Sequence, residues 1–294
     1  MTTIYDVPAP AKLNLFLHIT GRRPDGYHEM QSVFMLIDWC DTLHFELRRD
    51  GQITRSDIAS DAETSSGCAA SLPDDDLSVR AARALQRAIG TPLGAHITLE
   101  KRIPTQAGMG GGSSDAASCL VALQRLWKAK VPPDQLYAIA LALGADVPFF
   151  LSGGHAWVEG IGERIQPISL PSANFVVVKP LAGLSTQAIF TSPQLKRDSE
   201  TATLLGFAAA TGTQAFEFGR NDLQQVAQDL CSQIEASLKW LSDVGLRGRM
   251  TGSGSAVFAH LPPGTEVSDA NNLLASGWIL RKCSNLERHP LLGW

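Results

Sequence analysis

The chain has 294 residues, and 25 Lys and Arg against 29 Asp and Glu give it a formal net charge of −4. Hydrophobic residues make up 44% and charged residues 18%, which excludes a disordered polyelectrolyte. The acidic balance also argues against a nucleic-acid partner, because such proteins carry a basic surface. The length predicts two domains or one large one, and we expect two, divided at residue 160 into 1–160 and 161–294.

The cysteine pattern favours a reducing compartment. The cysteines are odd in number, widely spaced and without a CxxC pair: Cys40, Cys68, Cys119, Cys231 and Cys283. The first ten residues lack a signal-peptide pattern, and the most apolar stretch, 139–151, is interrupted by glycine, aspartate and proline. We therefore expect a cytoplasmic protein with no membrane partner.

The first predicted element is a strand over residues 11–19, where apolar and polar positions alternate. One face would hold Leu13, Leu15, Leu17 and Ile19, and the other Lys12, Asn14, Phe16 and His18. Lys12 has two interpretations. It is either an edge-strand lysine that keeps a sheet soluble or a cation that stabilises developing negative charge.

A turn is predicted at residues 23–26 (Arg-Pro-Asp-Gly), followed by an apolar strand at 33–37 and a half-exposed strand at 43–48. Residues 50–76 are expected to be irregular surface structure. The acidic residues 74–76 favour a helix start, and an apolar stripe predicts a helix from Leu77 to Ala88. A short strand follows at 95–99.

Residues 108–114 (Gly-Met-Gly-Gly-Gly-Ser-Ser) open directly onto a helix predicted to run to Trp127. Backbone N–H groups at such a helix start can converge on phosphate oxygens. The other interpretation is a flexible surface loop. The segment is neither a Walker A motif nor a GxGxxG motif, because its residue spacing differs from that of each motif.

The next predicted helix begins with Asp134 as N-cap and stops at Gly144. Asp146 then stands before residues 147–150, which we predict to form an apolar strand. A carboxylate placed there either caps a turn or accepts a hydroxyl proton during phosphoryl transfer.

The second half of the chain predicts a buried strand at 175–179 and one long helix over 223–241, started by Asn221 or Asp222. The small-residue turn 251–255 precedes a strand at 256–260. This turn is either a simple hairpin or a second wall for a phosphate chain. Strands and helices in this mixture predict an α+β or α/β fold.

Three segments taken together resemble the motifs of the GHMP kinases: residues 10–15, 104–117 and 250–254. Residues 23–29, 144–148 and 159–163 are similar to the branch of that superfamily that phosphorylates 4-diphosphocytidyl-2-C-methyl-D-erythritol. The resemblance implies an α+β, two-domain fold with the active site in the cleft between domains. Residues 1–160 would bind ATP and residues 161–294 the substrate.

The resemblance also implies the site residues. Lys12 and Asp146 would be catalytic. The substrate-binding residues would be Asn14, Tyr27, His28, Ile161 and Phe190. The ATP-binding residues would be Lys101, Pro104, Gly108, Met109, Gly110, Gly111, Gly112, Ser113, Ser114, Gly252 and Ser253. Mg²⁺ would arrive with the nucleotide, and no metal ligand is assigned to the protein.

The expected activity is ATP-dependent phosphorylation of the substrate 2-hydroxyl, a step of non-mevalonate isoprenoid precursor synthesis. Transfer would be direct and in line, with Asp146 as base and Lys12 as electrostatic stabiliser. The alternatives are a homoserine or mevalonate type of GHMP kinase and a catalytically silent nucleotide-binding sensor. The expected partners are the two small-molecule substrates, in a monomer or homodimer, and residues 192–220 are expected to be variable.

Overall fold

The fold is given by a computed structural model that describes residues 2–58, 72–210, 212–267 and 277–294. Its first sheet is built on two long antiparallel strands, β1 (Thr3–Arg22) and β2 (His28–Arg48). The other edge of β2 pairs with two strands, one along each half of its length. The remaining strands of this sheet are β3 (Ile53–Ile58), β4 (Gly94–Glu100), β5 (Ala156–Gly160) and β6 (Arg164–Pro167).

Strand β4 pairs with the C-terminal half of β2 and β5 with its N-terminal half, both antiparallel. β3 lies parallel to β4, and β6 antiparallel to β5. The prediction of irregular structure over 50–76 is wrong for β3, whose half-polar sequence pairs along the sheet edge. Residues 59–71 of that prediction lie outside the described residues.

Strand β1 is not a simple alternating strand, because its register shifts between Asn14 and Leu17. Beyond that irregularity Phe16 joins the same core as Leu13, whereas Leu17 packs in a different core. The predicted division into two faces is therefore wrong from Phe16 onward, as a bulge redirects these side chains.

Helices cover one face of the first sheet and enclose a core of aliphatic and aromatic residues. They are α1 (Leu77–Ile89), α2 (Gly111–Leu126), α3 (Pro133–Leu143) and α4 (Val147–Leu151). Asp76 caps α1 by accepting from the N–H of Val79, as the acidic cluster predicted.

Two details of the helical prediction are wrong. The N-cap of α3 is Pro132, and Asp134 lies within the first turn. Residues 147–150 form α4 instead of a strand. A short apolar run fits either element, and here Pro148 stands in the first turn of a helix, where its missing N–H costs nothing.

The second sheet is four-stranded and antiparallel, in the order β10-β7-β9-β8. Its strands are β7 (Asn174–Lys179), β8 (Arg249–Met250), β9 (Val257–Leu261) and β10 (Ile279–Ser284). The buried strand predicted at 175–179 is confirmed as β7. The chain passes from the first sheet to the second between Pro167 and Asn174, and the domain division at residue 160 stays a prediction.

The described helices of this half are α5 (Thr186–Thr191), α6 (Leu204–Ala208), α7 (Gln224–Leu230) and α8 (Ser232–Asp243), with a 3₁₀ turn at Gly212–Glu217. The single long helix predicted over 223–241 is wrong. Cys231 has extended dihedrals (φ −148°, ψ 98°) and separates α7 from α8. Neither predicted cap starts α7, whose N-cap is Leu223.

The two sheets share a core in which Leu13 and Trp39 of the first meet Phe175 and Phe258 of the second. This packing fixes the two halves against each other and confirms the α+β class. Among the described residues, no helix is long and apolar enough to cross a membrane. The four described cysteines are free, and Cys68 lies outside the described residues.

Candidate active site

A cleft of about 700 Å³ opens where the two halves meet. Its walls come from β1, the start of α4, helix α5, the turn between β8 and β9, and residues 106–114, which lead into α2 and are called the glycine segment below. Most of the predicted site residues line it: Lys12, Asn14, Lys101, Pro104, Gly108, Met109, Gly110, Gly111, Gly112, Asp146, Ile161, Phe190, Gly252 and Ser253. Tyr27, His28, Ser113 and Ser114 do not line the cleft.

Lys12 and Asp146 face each other in this cleft. Nζ of Lys12 lies 3.5 Å from Oδ2 of Asp146, and the side chains are 4% and 33% exposed. A lysine this buried cannot serve to keep a sheet edge soluble, so that interpretation is wrong. Asp146 stands at the N-cap of α4 but makes no capping hydrogen bond. Its carboxylate is thus directed to the lysine and the cleft.

The Lys12 ammonium is held from several sides. It donates to Oδ1 of Asn14, which confirms that the two side chains point the same way, and it lies 4.5 Å from the ring centre of Phe34. Burial lowers the pKa of Lys12, and the charge of Asp146 opposes that shift. The backbone N–H of Lys12 donates to Met109 O at 3.0 Å, which ties β1 to the glycine segment.

The glycine segment confirms the predicted helix start. Gly110 is the N-cap of α2 and adopts a left-handed conformation (φ 70°). A Cβ atom there would lie 3.0 Å from the Phe150 ring and 3.3 Å from Cε of Lys12. The first turn of α2 therefore begins beside the lysine, with its unpaired N–H groups at the cleft.

The turn between β8 and β9 packs directly against this segment. Ser255 N donates to Gln106 O at 3.1 Å, and Ala256 N donates to Ala107 O at 3.2 Å. A Cβ atom on Gly108 would lie 2.2 Å from Thr251 O, so only glycine permits the approach. The turn is a hairpin and also a second wall of the cleft, and the flexible-loop interpretation of the glycine segment is wrong.

Lys101 lines the cleft, but its ammonium is already paired. It contacts Oδ2 of Asp41 and lies 2.8 Å from Oδ2 of Asp115. The two carboxylates raise the pKa of Lys101 despite its burial. Burial raises the pKa of Asp115 as well. Among the described residues, Asp115 Oδ1 and the neighbouring Ser114 Oγ are buried without a hydrogen-bond partner.

Residues of both halves meet beside the end of the cleft that Ile161 and Phe190 line. His28, at the start of β2, contacts Phe190 of α5, with ring centres 5.1 Å apart. Ile161 follows β5, and its N–H donates to Glu163 Oε2 at 2.6 Å. The Tyr27 side chain is 62% exposed. The structure brings His28 and Phe190 together and leaves Tyr27 on the surface.

Sequence reasoning missed several cleft residues. The region around the start of α1 contributes Asp75, Asp76, Leu77 and Arg80. The segment before Gly108 contributes Thr105 and Gln106, and the region around α5 contributes Leu184 and Thr186. The acidic run at 74–76 is the one available signal, and by itself it indicates only a helix start.

Family models match two parts of this chain. The model described as GHMP kinases N terminal domain matches residues 76–154, and the model described as GHMP kinases C terminal matches residues 201–274. The first match contains the glycine segment and Asp146. The second contains the turn between β8 and β9.

Full-length relatives share one name, 4-diphosphocytidyl-2-C-methyl-D-erythritol kinase. The protein of that name from Polaromonas sp. strain JS666 is 69% identical over 294 residues, covering 100% of this chain and 95% of its own. The Variovorax paradoxus protein of the same name is 55% identical, covering 100% and 99%.

Solved structures agree with these relatives. The crystal structure of a 4-(cytidine 5'-diphospho)-2C-methyl-D-erythritol kinase matches with a TM-score of 0.73 at 34% identity, covering 95% of this chain and 98% of that one. A homoserine kinase from Cytophaga hutchinsonii matches with a TM-score of 0.68 at 15% identity, covering 98% and 96%. The second likeness is one of fold alone.

Proposed function

Because this chain belongs to the GHMP kinases and, within them, to the 4-diphosphocytidyl-2-C-methyl-D-erythritol kinase family, we propose that its cleft transfers the γ-phosphate of ATP to the 2-hydroxyl of that diphosphocytidyl alcohol. The chain is an ATP-dependent small-molecule kinase. The observation that carries the catalytic assignment is the Lys12–Asp146 pair, exposed to the cleft beside the glycine segment.

Asp146 would accept or orient the proton of the attacking hydroxyl. Its side chain is one-third exposed, and among the described residues its one ion pair is with Lys12, so one face of the carboxylate is available to a substrate. Lys12 would stabilise the negative charge shared between the alcohol oxygen and the transferred phosphoryl group. In phosphoryl transfer this kind of positioning and electrostatic stabilisation supplies most of the catalysis.

The triphosphate would lie on backbone N–H groups. The start of α2 offers its unpaired N–H groups and the positive end of the helix dipole. We infer that Lys101 shapes this cradle instead of contacting phosphate, because Asp41 and Asp115 already take up its charge. The turn at Gly252 and Ser253 would close the opposite side.

Mg²⁺ fits this end of the cleft. Asp115 lines the cleft, and its Oδ1 is a buried carboxylate oxygen without a partner among the described residues. Oxygen donors of this kind suit Mg²⁺, which is otherwise held by phosphates and water. Asp115 would hold the ion. Bound there, Mg²⁺ would neutralise part of the triphosphate charge.

The cytidine would lie at the end formed by His28 and Phe190. An aromatic face and a nearby hydrogen-bonding ring are suited to hold a pyrimidine base and to discriminate between its edges. Tyr27 would supply the second stacking face. Its exposed position means that the side chain would have to fold over the base when the substrate binds.

The test is an ADP-release assay with four acceptors: the diphosphocytidyl alcohol, its diphosphouridyl counterpart, homoserine and mevalonate. We expect turnover with the first and at least about a hundredfold lower kcat/KM with the others, because uracil would leave base-edge groups unpaired and the last two acceptors have no base to bind. Tyr27→Ala should raise KM for the diphosphocytidyl alcohol. Preferred phosphorylation of homoserine or mevalonate would overturn the substrate assignment. No turnover with any acceptor would favour the nucleotide-binding sensor.

A further inference from the structure

Arg197 lies between α5 and α6, in the segment that the sequence predicted to be variable, and each of its three guanidinium nitrogens donates a hydrogen bond. Nε donates to Nε2 of His28 at 3.0 Å. Nη2 donates to Phe190 O at 3.1 Å and to Ser192 O at 2.7 Å, and Nη1 donates to Leu195 O at 3.0 Å. One side chain therefore links the start of β2 to the end of α5.

The segment that carries Arg197 is anchored on both sides. Leu195 is 4% exposed and packs in the core of the second half. Ser199 N donates to Ile19 O at 3.0 Å, and its hydroxyl donates to Asp222 Oδ2 at 2.6 Å. Although the segment lacks regular structure, these contacts hold Arg197 at a defined distance from β1 and β2.

Arg197 also sets the protonation of His28. A guanidinium only donates hydrogen bonds, so Nε2 of His28 must accept and the neutral ring carries its proton on Nδ1. Burial lowers the pKa of His28, and the positive charges of Arg197 and Arg22 lower it further. No carboxylate is among the groups that shift it. His28 is thus held uncharged in one tautomer.

We propose that Arg197 is a positioning residue of the nucleobase pocket, holding the His28 ring and the Phe190 backbone in the arrangement that receives cytosine. The inference rests on the proposed function, because it takes this end of the cleft as the cytidine site. Arg197 acts through its two neighbours and is not a catalytic residue. Its contribution belongs to binding and base selection, and not to the transfer step.

The test measures binding of cytidine 5'-diphosphate and uridine 5'-diphosphate by calorimetry, with the ATP site filled by a non-hydrolysable ATP analogue. Arg197→Met keeps an unbranched apolar stem and removes the guanidinium with every donor. We expect its affinity for the cytidine nucleotide to fall about tenfold, as for other charge-assisted hydrogen bonds, and its cytidine-over-uridine preference to shrink. In turnover assays KM for the alcohol should rise, and kcat and KM for ATP should stay within about twofold.

Two further variants make the result decisive. Arg247→Met removes another arginine of the same half, whose ion pair to Glu217 is exposed, and should leave both affinities unchanged. Arg197→Lys keeps the positive charge but has one donor atom. It should lose less affinity for the cytidine nucleotide than Arg197→Met does. It decides the question if Arg197→Met does not fold.

A purely structural role would lower the melting temperature and leave the affinities of the folded variants and the base preference unchanged. Unchanged affinity and preference in either folded variant would overturn the proposal. Failure of the wild-type protein to bind the cytidine nucleotide would instead contradict the proposed function. The two failures are therefore distinguishable.

Discussion

At the scale of single residues, the site depends on a buried charge that its neighbours keep in place. Burying an ammonium is costly unless it is paired, and Lys12 finds Asp146, Asn14 and the face of Phe34. The pair is close enough to interact and open enough on the aspartate side to admit a hydroxyl. This geometry explains why a lysine can stand on an otherwise apolar strand.

The lowered pKa of Lys12 predicts the alkaline limit of activity. Its ordinary value is 10.5, and burial moves the pKa down, so the ammonium is lost as the pH rises through a lower value. We expect kcat/KM for ATP, which reports the free enzyme, to fall on the alkaline side with a midpoint below 10.5. The measurement is a pH profile of kcat/KM for ATP.

Lys12→Arg provides the control for that profile, since a guanidinium keeps its charge across the range. The residual activity of this variant should lack the alkaline limb. A wild-type midpoint at or above 10.5, or an unchanged limb in the variant, would contradict the assignment of the charge to Lys12.

Residue-level prediction from sequence was good where spacing carries the information. Alternation placed Lys12 and Asn14 on one face, and the hydrogen bond between them confirms it. Arg197 had no such signal, because its partners come from β2, α5 and its own loop. The pairing of Lys101 with Asp41 and Asp115 was missed for the same reason, since a buried network depends on tertiary contacts.

At the scale of elements, two small-residue segments form one rigid corner of the cleft. Their backbones meet at Gly108 and Thr251, and the turn donates two backbone hydrogen bonds to the residues just before Gly108. Glycine is needed here for space as well as for its positive φ of 73°. The corner sets where phosphates would lie relative to Lys12.

Gly108→Ala should displace this corner, because the added Cβ would lie 2.2 Å from Thr251 O. We expect kcat/KM for ATP to fall roughly a hundredfold, the cost of about 1 Å of misplacement. Gly90→Ala is the matched control. Gly90 has a similar φ of 70°, but a Cβ atom added there would have no neighbour within 4 Å, so the variant should lose about 1 kcal/mol of stability and no activity.

Steady-state kinetics and urea unfolding of both variants check this prediction. If both variants lose activity equally, backbone strain in general is responsible. If neither does, the corner tolerates movement. Either result would contradict the role given to the contact between the two segments.

Element types were predictable where the pattern was long, and less so where it was short. The apolar stripe of α1 carried enough repeats to identify it, whereas the two strands predicted at 33–37 and 43–48 are parts of one strand, β2. The four residues before Leu151 fit a strand and a helix turn equally, and α4 resulted. The stripe over 223–241 continues across Cys231 because α7 and α8 pack in the same core, so periodicity hides the break.

At the scale of the whole molecule, the net charge of −4 is compatible with two anionic substrates, since the binding charges are local. Both cleft lysines, Lys12 and Lys101, are paired with carboxylates. We therefore expect phosphate binding to rest mainly on backbone N–H groups at the start of α2, beside Arg80, the cleft arginine. The shared core of the two sheets holds these N–H groups and the Lys12–Asp146 pair at fixed positions relative to each other.

The fold should lose stability in mild acid. His155 and His289 are buried, each accepts a backbone N–H at Nδ1, and burial lowers the pKa of each to about 4. In the unfolded chain a histidine takes up its proton near 6.5. The unfolded state therefore binds more protons between these values, and stability falls as the pH drops from about 6.5 towards 4.

Each histidine should lower the free energy of unfolding by on the order of 2–3 kcal/mol at pH 4.5 relative to pH 7. Urea unfolding at the two pH values measures the difference. His289→Gln removes one titrating group. It should therefore reduce the difference in unfolding free energy between the two pH values by the contribution of one histidine, whatever it does to stability at pH 7. An equal pH dependence in the variant and the wild type would contradict this account.

The most direct test of the whole account is Asp146→Asn, measured for turnover of the diphosphocytidyl alcohol and for ATP binding. The amide keeps the shape of the side chain and removes the proton acceptor. We expect kcat to fall on the order of 10²–10⁴-fold, with ATP affinity within about threefold of the wild type. Asp134→Asn, an exposed change in α3, should leave both unchanged. Near-full turnover by Asp146→Asn would contradict the central claim that this carboxylate and Lys12 form the catalytic pair.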